Sequence, residues 1–187
     1  MPIRNKIHEV EPARVKSFLE KVVINAGVGR ASQQAQFEEK TLPQILKDVA
    51  ALAGQAPRVT RAYKSIAGFK MREGQIVGVQ VTLRGAKMVD FFKRFITIVL
   101  PRVRDFSGIS ASSIDHSGAL NIGLKEHYVF SEITPEESPF SFSLGVTMVP
   151  KGRAREKAIA TYVELGVPMK KSEKEALGKK RGKAQVK

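Results

Sequence analysis

Between residues 18 and 28 apolar and polar positions alternate. Val22, Ile24, Ala26 and Val28 fall on one side, and Lys21, Val23, Asn25 and Gly27 on the other. A period of two is the mark of a β-strand with one buried face. The pattern returns at residues 77–84, where Val77, Val79, Val81 and Leu83 interleave with Gly78, Gln80, Thr82 and Arg84. Leu120, Ile122 and Leu124 repeat it, as do Phe142, Leu144, Val146 and Met148. Shorter strands are expected at residues 58–62 and 128–130.

A second period, of 3.6 residues, marks the helices. Leu42, Ile45, Leu46, Val49 and Leu52 line one face of a helix within residues 33–53. Pro43 has no N–H to donate in a helix interior, so a break is expected near Thr41, with Pro43 opening the longer helix and Gly54 capping it. Met88, Phe91, Phe92, Phe95, Ile96 and Val99 define an amphipathic helix expected to stop at Pro101. Ala158, Ile159, Tyr162, Val163 and Leu165 predict a last helix at residues 153–165, and Pro12 suits the first turn of a short early one. Residues 65–74 and 102–118 read as loops, and 131–139 as an acidic turn.

Strands outnumber helices and do not alternate strictly with them. The pattern predicts an α+β fold, a mostly antiparallel sheet with helices packed on one face. Residues 1–171 are expected to form one domain, followed by a basic extension at 172–187 that is flexible when free. The opposite sheet face is then left for a partner.

Charge says which partner. The chain of 187 residues carries 32 Lys and Arg against 18 Asp and Glu, a formal net charge of +14. Such self-repulsion is offset most naturally by a polyanion. No stretch approaches the roughly 20 apolar residues of a spanning helix, and residues 1–11 have no signal-peptide core, so no membrane partner is expected. Cysteine is absent, and His8, His116 and His127 show no ligand spacing, so neither disulfide nor metal is expected. These features fit a cytoplasmic protein.

Catalytic signals are sparse. Gly27-Val28-Gly29 after a strand is half of a dinucleotide-binding turn, but Ser32 stands where the third glycine belongs and no acidic residue ends the next strand. A tight turn explains it more simply than a cofactor loop. No enzyme and no cofactor are expected.

Signals for RNA converge instead. Gln80, Thr82 and Arg84 share the side of their strand opposite the apolar row; Lys21 and Asn25 do so on the first strand, Arg58 and Thr60 on the second. Amide, hydroxyl and guanidinium groups on a flat face suit phosphates, 2′-hydroxyls and base edges. A solvated face fits the alternation equally well, and net charge favours RNA. Residues 64–74 form a second candidate. Lys64, Lys70 and Arg72 bring charge, Gly68 and Gly74 permit close approach, and Phe69 either stacks on a base or pins the loop to the core. Arg102 and Arg104 contact phosphate or favour a helix C-terminus. The cations from Lys170 to Lys187 form a polyanion-seeking arm.

Four segments in order and spacing carry a resemblance: KVVINAGVG (21–29), GQAPRVTRAYKSIAGFKMREG (54–74), VTLRG (81–85) and LPRVRDFSGIS (100–110). Over residues 18–169 the chain resembles the bacterial type of the ribosomal protein L-five family, the universal large-subunit protein that binds 5S rRNA. The resemblance implies an antiparallel sheet with helices on one side. It implies 5S rRNA contacts at Asn25, Gln55, Thr82 and Arg84. On charge, Arg61, Lys70, Arg72, Arg84 and the basic extension are expected to neutralise phosphates. Gln55 comes from the resemblance alone. The loop bearing Lys64, Ser65, Gly68, Phe69, Lys70 and Arg72 would reach P-site tRNA. Residues 108–118 and 131–140 would meet a small-subunit head protein, and large-subunit rRNA and neighbouring ribosomal proteins complete the partners.

The chain departs from that family's pattern in four places. The region before Phe18 is shorter, Pro43 interrupts the first long helix, residues 116–121 replace a glycine–aromatic pattern, and the lysine-rich extension is additional. The rival readings are a nucleotide-dependent enzyme using Gly27-Val28-Gly29 and a general RNA chaperone.

Overall fold

A computed structural model describes residues 11–34, 36–104 and 106–170. The first ten residues and the expected basic tail at 172–187 lie outside the described residues. Five strands form one sheet: β1 (Leu19–Gly27), β2 (Arg58–Arg61), β3 (Ile76–Leu83), β4 (Leu120–Leu124) and β5 (Leu144–Pro150). Their order is β2-β3-β1-β5-β4 and every neighbouring pair is antiparallel. With α1 (Pro12–Phe18), α2 (Leu42–Ala53), α3 (Gly85–Arg94), the single turn α4 (Leu100–Arg102) and α5 (Arg155–Glu164), this is the expected α+β architecture.

Register assembles the core in rows, because residues opposite each other in antiparallel strands share a face. One row runs Val59–Val79–Ala26–Leu144–Leu124, the next Val81–Ile24–Val146–Ile122, the third Leu83–Val22–Met148–Leu120. Nearly all of these side chains are buried, together with Val15 of α1, Ile45, Val49 and Leu52 of α2, and Met88, Phe91 and Phe92 of α3. Three rings stack above the sheet: Phe91 lies 5.7 Å from Phe95 and 6.1 Å from Phe130, centroid to centroid. Tyr162 of α5 packs edge-on to Phe18 and donates its hydroxyl proton to the Met148 carbonyl at 3.0 Å.

Helix ends follow the expected local rules. Pro12 and Pro43 sit in the first turns of α1 and α2, where no intrahelical N–H is needed. A wide π-type turn at Phe37–Thr41 precedes α2, which is the break expected near Thr41. Gly54 ends α2 at φ +62° and donates to the Ala50 carbonyl.

Several details correct the sequence reading. Pro101 does not stop the third helix. The Leu100 N–H reaches back five residues to Phe95, a π-type turn over Phe95–Val99 that lets the chain carry the proline into α4. Val77 leaves the apolar row. A register shift between Thr60 and Arg61 pairs Arg61 with Ile76, so Ile76 enters the core and Val77 turns to the open face. Residues 127–129 form a 3-10 turn rather than a strand. β5 begins at Leu144, and Phe142 instead stacks on His127, with centroids 4.0 Å apart. Arg84 lies one residue past β3, as the extended N-cap of α3.

The stacked rings give a direct check of the packing. Phe91→Ala removes the ring shared by Phe95 and Phe130 and is expected to cost about 3–5 kcal/mol of stability in urea unfolding. A loss under about 1 kcal/mol would contradict the central place given to that cluster.

Candidate nucleic-acid interface

The face of the sheet away from the helices carries its own rows. Arg58, Gln80, Asn25, Gly145 and Gly123 stand directly opposite one another across all five strands. Beside them run Thr82–Val23–Thr147–Asn121 and Thr60–Gly78–Gly27. Arg58, Asn25 and Asn121 are exposed; Thr60, Gln80, Thr82 and Thr147 are half-buried by their neighbours. A shallow depression in this face is lined by Val23, Asn25, Thr60, Val77, Gln80 and Thr147.

Local contacts set these groups in place. Thr60 leans over Gly78: a Cβ there would lie 2.9 Å from its Oγ1. Gln55, exposed just after the Gly54 cap, donates from Nε2 to the Thr82 carbonyl at 3.4 Å. Lys87 of α3 donates to the Gly54 carbonyl at 2.8 Å, fastening this turn beside the end of β3. Gln55, Thr82 and Arg84 therefore meet at one corner of the face. Continuing the ladder one step beyond Val22–Leu83 puts Arg84 level with Lys21, whose ammonium lies 3.6 Å from Glu20. Arg61 is the exception. It alternates away from Arg58 and Thr60, and its guanidinium donates to the Gly74 carbonyl at 3.0 Å.

Residues 62–74 form a finger at the β2–β3 edge. An isolated bridge pairs Ile66 with Met71, and Ala62 exchanges backbone hydrogen bonds with Gly74 and Gln75. The Glu73 N–H donates to Ser65 Oγ at 2.9 Å, and Lys70 turns the tip in the left-handed region at φ +50°. Phe69 does not pin the finger to the core: it is 71% exposed, beside Tyr63 at 86% and Ile66 at 45%. Lys64, Gly68, Lys70 and Arg72 are exposed with them. Backbone bonds thus hold in water a finger that carries two exposed rings, an exposed isoleucine and cations, the composition of a surface that stacks on a partner.

The glycine turn after β1 is not a nucleotide cradle. β1 is antiparallel to both neighbours, whereas the dinucleotide fold needs parallel strands. Only a three-residue 3-10 turn, Ala31–Gln33, follows it. Ser32 Oγ closes the turn on the Gly29 carbonyl at 2.9 Å. Among the described residues no group of His, Asp or Glu is arranged to hold a metal, and no helix is long and apolar enough to cross a membrane.

Comparison with known proteins decides the family. Residues 16–72 match the model for ribosomal protein L5, and residues 76–169 the model for the C-terminal part of the same ribosomal family. The large ribosomal subunit protein uL5 of Pseudothermotoga lettingae is 39% identical over 182 residues, covering 91% of this chain and 97% of its own. Those of Chloroflexus aggregans and Symbiobacterium thermophilum are 42% and 43% identical, covering 90% and 86% of this chain and 97% and 92% of their own. The chain belongs to the ribosomal protein L5 family. It is a structural component of the large ribosomal subunit, acting in translation in the cytoplasm, and not an enzyme.

Within this L5-family chain, two further elements escaped the sequence reading. Thr147 and Asn121 extend the polar face over β5 and β4, with Thr147 Oγ1 donating to Asn121 Oδ1 at 2.8 Å. The alternation of β5 contained the signal for Thr147, since Val146 and Met148 point inward. The second is a buried polar latch. His127 Nε2 donates to Ser138 Oγ at 3.2 Å, and Ser138 donates to Asp48 Oδ2 at 2.6 Å. Gln44 donates to the other Asp48 oxygen at 2.8 Å, and the Phe142 N–H points at His127 Nδ1. Together with the Arg94–Glu132 ion pair, the latch fastens residues 127–142 onto α2 and α3. Nothing in the local sequence links Asp48 to Ser138, 90 positions apart.

This network fixes a neutral imidazole with its proton on Nε2. Burial pushes the His127 pKa below its ordinary value of 6.5, against the opposing pull of the Asp48 carboxylate. The unfolded chain therefore binds a proton that the folded chain refuses. Stability from this site is fully present above about pH 6.5 and is lost as pH falls through the depressed folded value. Thermal melts of the wild type should fall below pH 6.5 more steeply than those of His127→Gln. Parallel pH profiles for the two proteins would contradict the latch.

Proposed function

We propose that this chain anchors 5S rRNA to the large subunit through the open face of its sheet, with residues 1–171 acting as one unit. The observation that carries the reading is the uncovered row Arg58–Gln80–Asn25, joined at its corner by Gln55, Thr82 and Arg84. Arg58, Arg84 and Lys21 neutralise phosphates, and Arg61 does so from the neighbouring edge. Asn25, Gln55, Thr60, Gln80 and Thr82 supply directed hydrogen bonds to riboses and base edges. Recognition is of RNA shape, because a flat rigid face meets exposed loops and the 2′-hydroxyl surface more readily than the deep groove of an A-form helix.

The finger reaches P-site tRNA. Its exposed Phe69, with Lys64, Lys70 and Arg72 around it, favours stacking on the tRNA over a purely ionic contact. Residues 108–118 and 131–140 face the small-subunit head, the latter held rigid by the His127–Ser138–Asp48 latch. The cationic extension at 172–187 adds phosphate neutralisation without directed contacts.

Competition of labelled 5S rRNA against tRNA, unrelated RNA and nucleotides tests the reading. Preference for 5S rRNA supports it; equal binding of all RNAs, or displacement of 5S rRNA by nucleotides, would overturn it. Thr82→Ala and Arg84→Ala are each expected to weaken 5S rRNA binding about tenfold or more while melting temperature holds. Unchanged affinity in filter binding rejects those two sites. Removing residues 172–187 should flatten the salt dependence by roughly 0.7–0.9 in log–log slope for each phosphate the extension neutralises, leaving preference for 5S rRNA intact. An identical slope would show the extension to be idle.

A further inference from the structure

Asn25 is exposed on the central strand, and its side-chain amide makes no hydrogen bond to another described residue. A free amide on a two-χ side chain ordinarily samples several rotamers. Here its surroundings narrow the choice. Directly opposite it on β5 stands Gly145, and the amide lies over the bare Cα. A Cβ built at Gly145 would lie 2.5 Å from Asn25 Oδ1, 3.2 Å from its Cγ and 3.3 Å from its Nδ2. The three nearest atoms to that Cβ are thus all from one side-chain amide.

The other glycines of the face behave differently. A Cβ at Gly27 or Gly123 would meet nothing within 4 Å. One at Gly78 would meet Thr60 Oγ1 at 2.9 Å but also the Ala26 backbone carbonyl at 3.1 Å. Nor does Gly145 answer a backbone need, since it lacks the positive φ of Gly54, Gly74 or Gly118. What remains is the space above it, which the Asn25 amide fills.

We infer that Gly145 is a positioning residue: its missing side chain is the seat that orients the Asn25 amide for hydrogen bonding to RNA. The inference rests on the sheet-face reading above and adds to it a strand, β5, that makes its contribution through Asn25. The amide is the flexible end of a side chain, so a methyl at 145 displaces it at little cost to the fold. The signature is therefore a binding defect without a stability defect.

The test is a double-mutant cycle on 5S rRNA affinity with Asn25→Ala, Gly145→Ala and both together, using the full chain. Each single variant is expected to lose about tenfold, and the pair no more than either alone, with melting temperatures close to wild type. The Asn25 side-chain amide resonances of the free Gly145→Ala protein should shift, while those of Gly123→Ala stay put. Additive losses would mean that the methyl obstructs RNA directly, and overturn the inference. Wild-type binding by Gly145→Ala beside a weakened Asn25→Ala overturns it while leaving the sheet-face reading intact. Should Asn25→Ala itself bind normally, the sheet-face reading fails at this residue and the inference falls with it; unmoved Asn25 resonances in Gly145→Ala reject the seat itself.

Discussion

The parity of β1 governs the rest of the molecule. The strand is paired on both sides, so one of its faces is buried by helices and the other is the platform. Ile24 inward means Asn25 outward. A slip of one residue would carry Val22, Ile24 and Ala26 into water and drive Asn25 and Lys21 under the helices, unpaired. The apolar rows of β3 and β5 lock the same parity from either side. The polar face is thus a consequence of the core rather than an addition to it.

Two modes of contact grow from this frame. The sheet presents uncharged polar groups across β5 and β4, through Asn121 and Thr147, and cations toward β2 and β3, through Arg58 and Arg84. Such a surface reads a rigid partner by fit. The finger works otherwise: its backbone is closed by Ala62, Gly74 and Gln75, and it holds Tyr63, Ile66 and Phe69 in water. Exposing those side chains forgoes apolar burial, and contact with a partner recovers it.

Much of this was legible in the residues. Alternation placed the inward and outward residues of β1 and, from Val79 on, those of β3, and the glycine and proline positions marked the ends of α2. The failures share one physical cause. Val77 left its row because the bulge depends on the pairing with β2, which no single strand reveals. The chain passed Pro101 because the π-type turn over Phe95–Val99 sets the proline in the first turn of α4, where no intrahelical N–H is needed. Gly145 means nothing until the register sets it against Asn25, and the Asp48–Ser138–His127 latch joins three segments distant in sequence. Periodicity reports on one element at a time, and each of these features belongs to a pair.

The most direct test of the platform is a chemical-shift map of the isotope-labelled protein titrated with 5S rRNA. The account predicts that perturbations centre on Arg58, Gln80, Asn25, Thr82 and Arg84, extend to Thr147, and spare the outward residues of α2 and α5. Perturbations confined to the helical side, with the resonances of Asn25 and Gln80 unmoved at saturation, would contradict it.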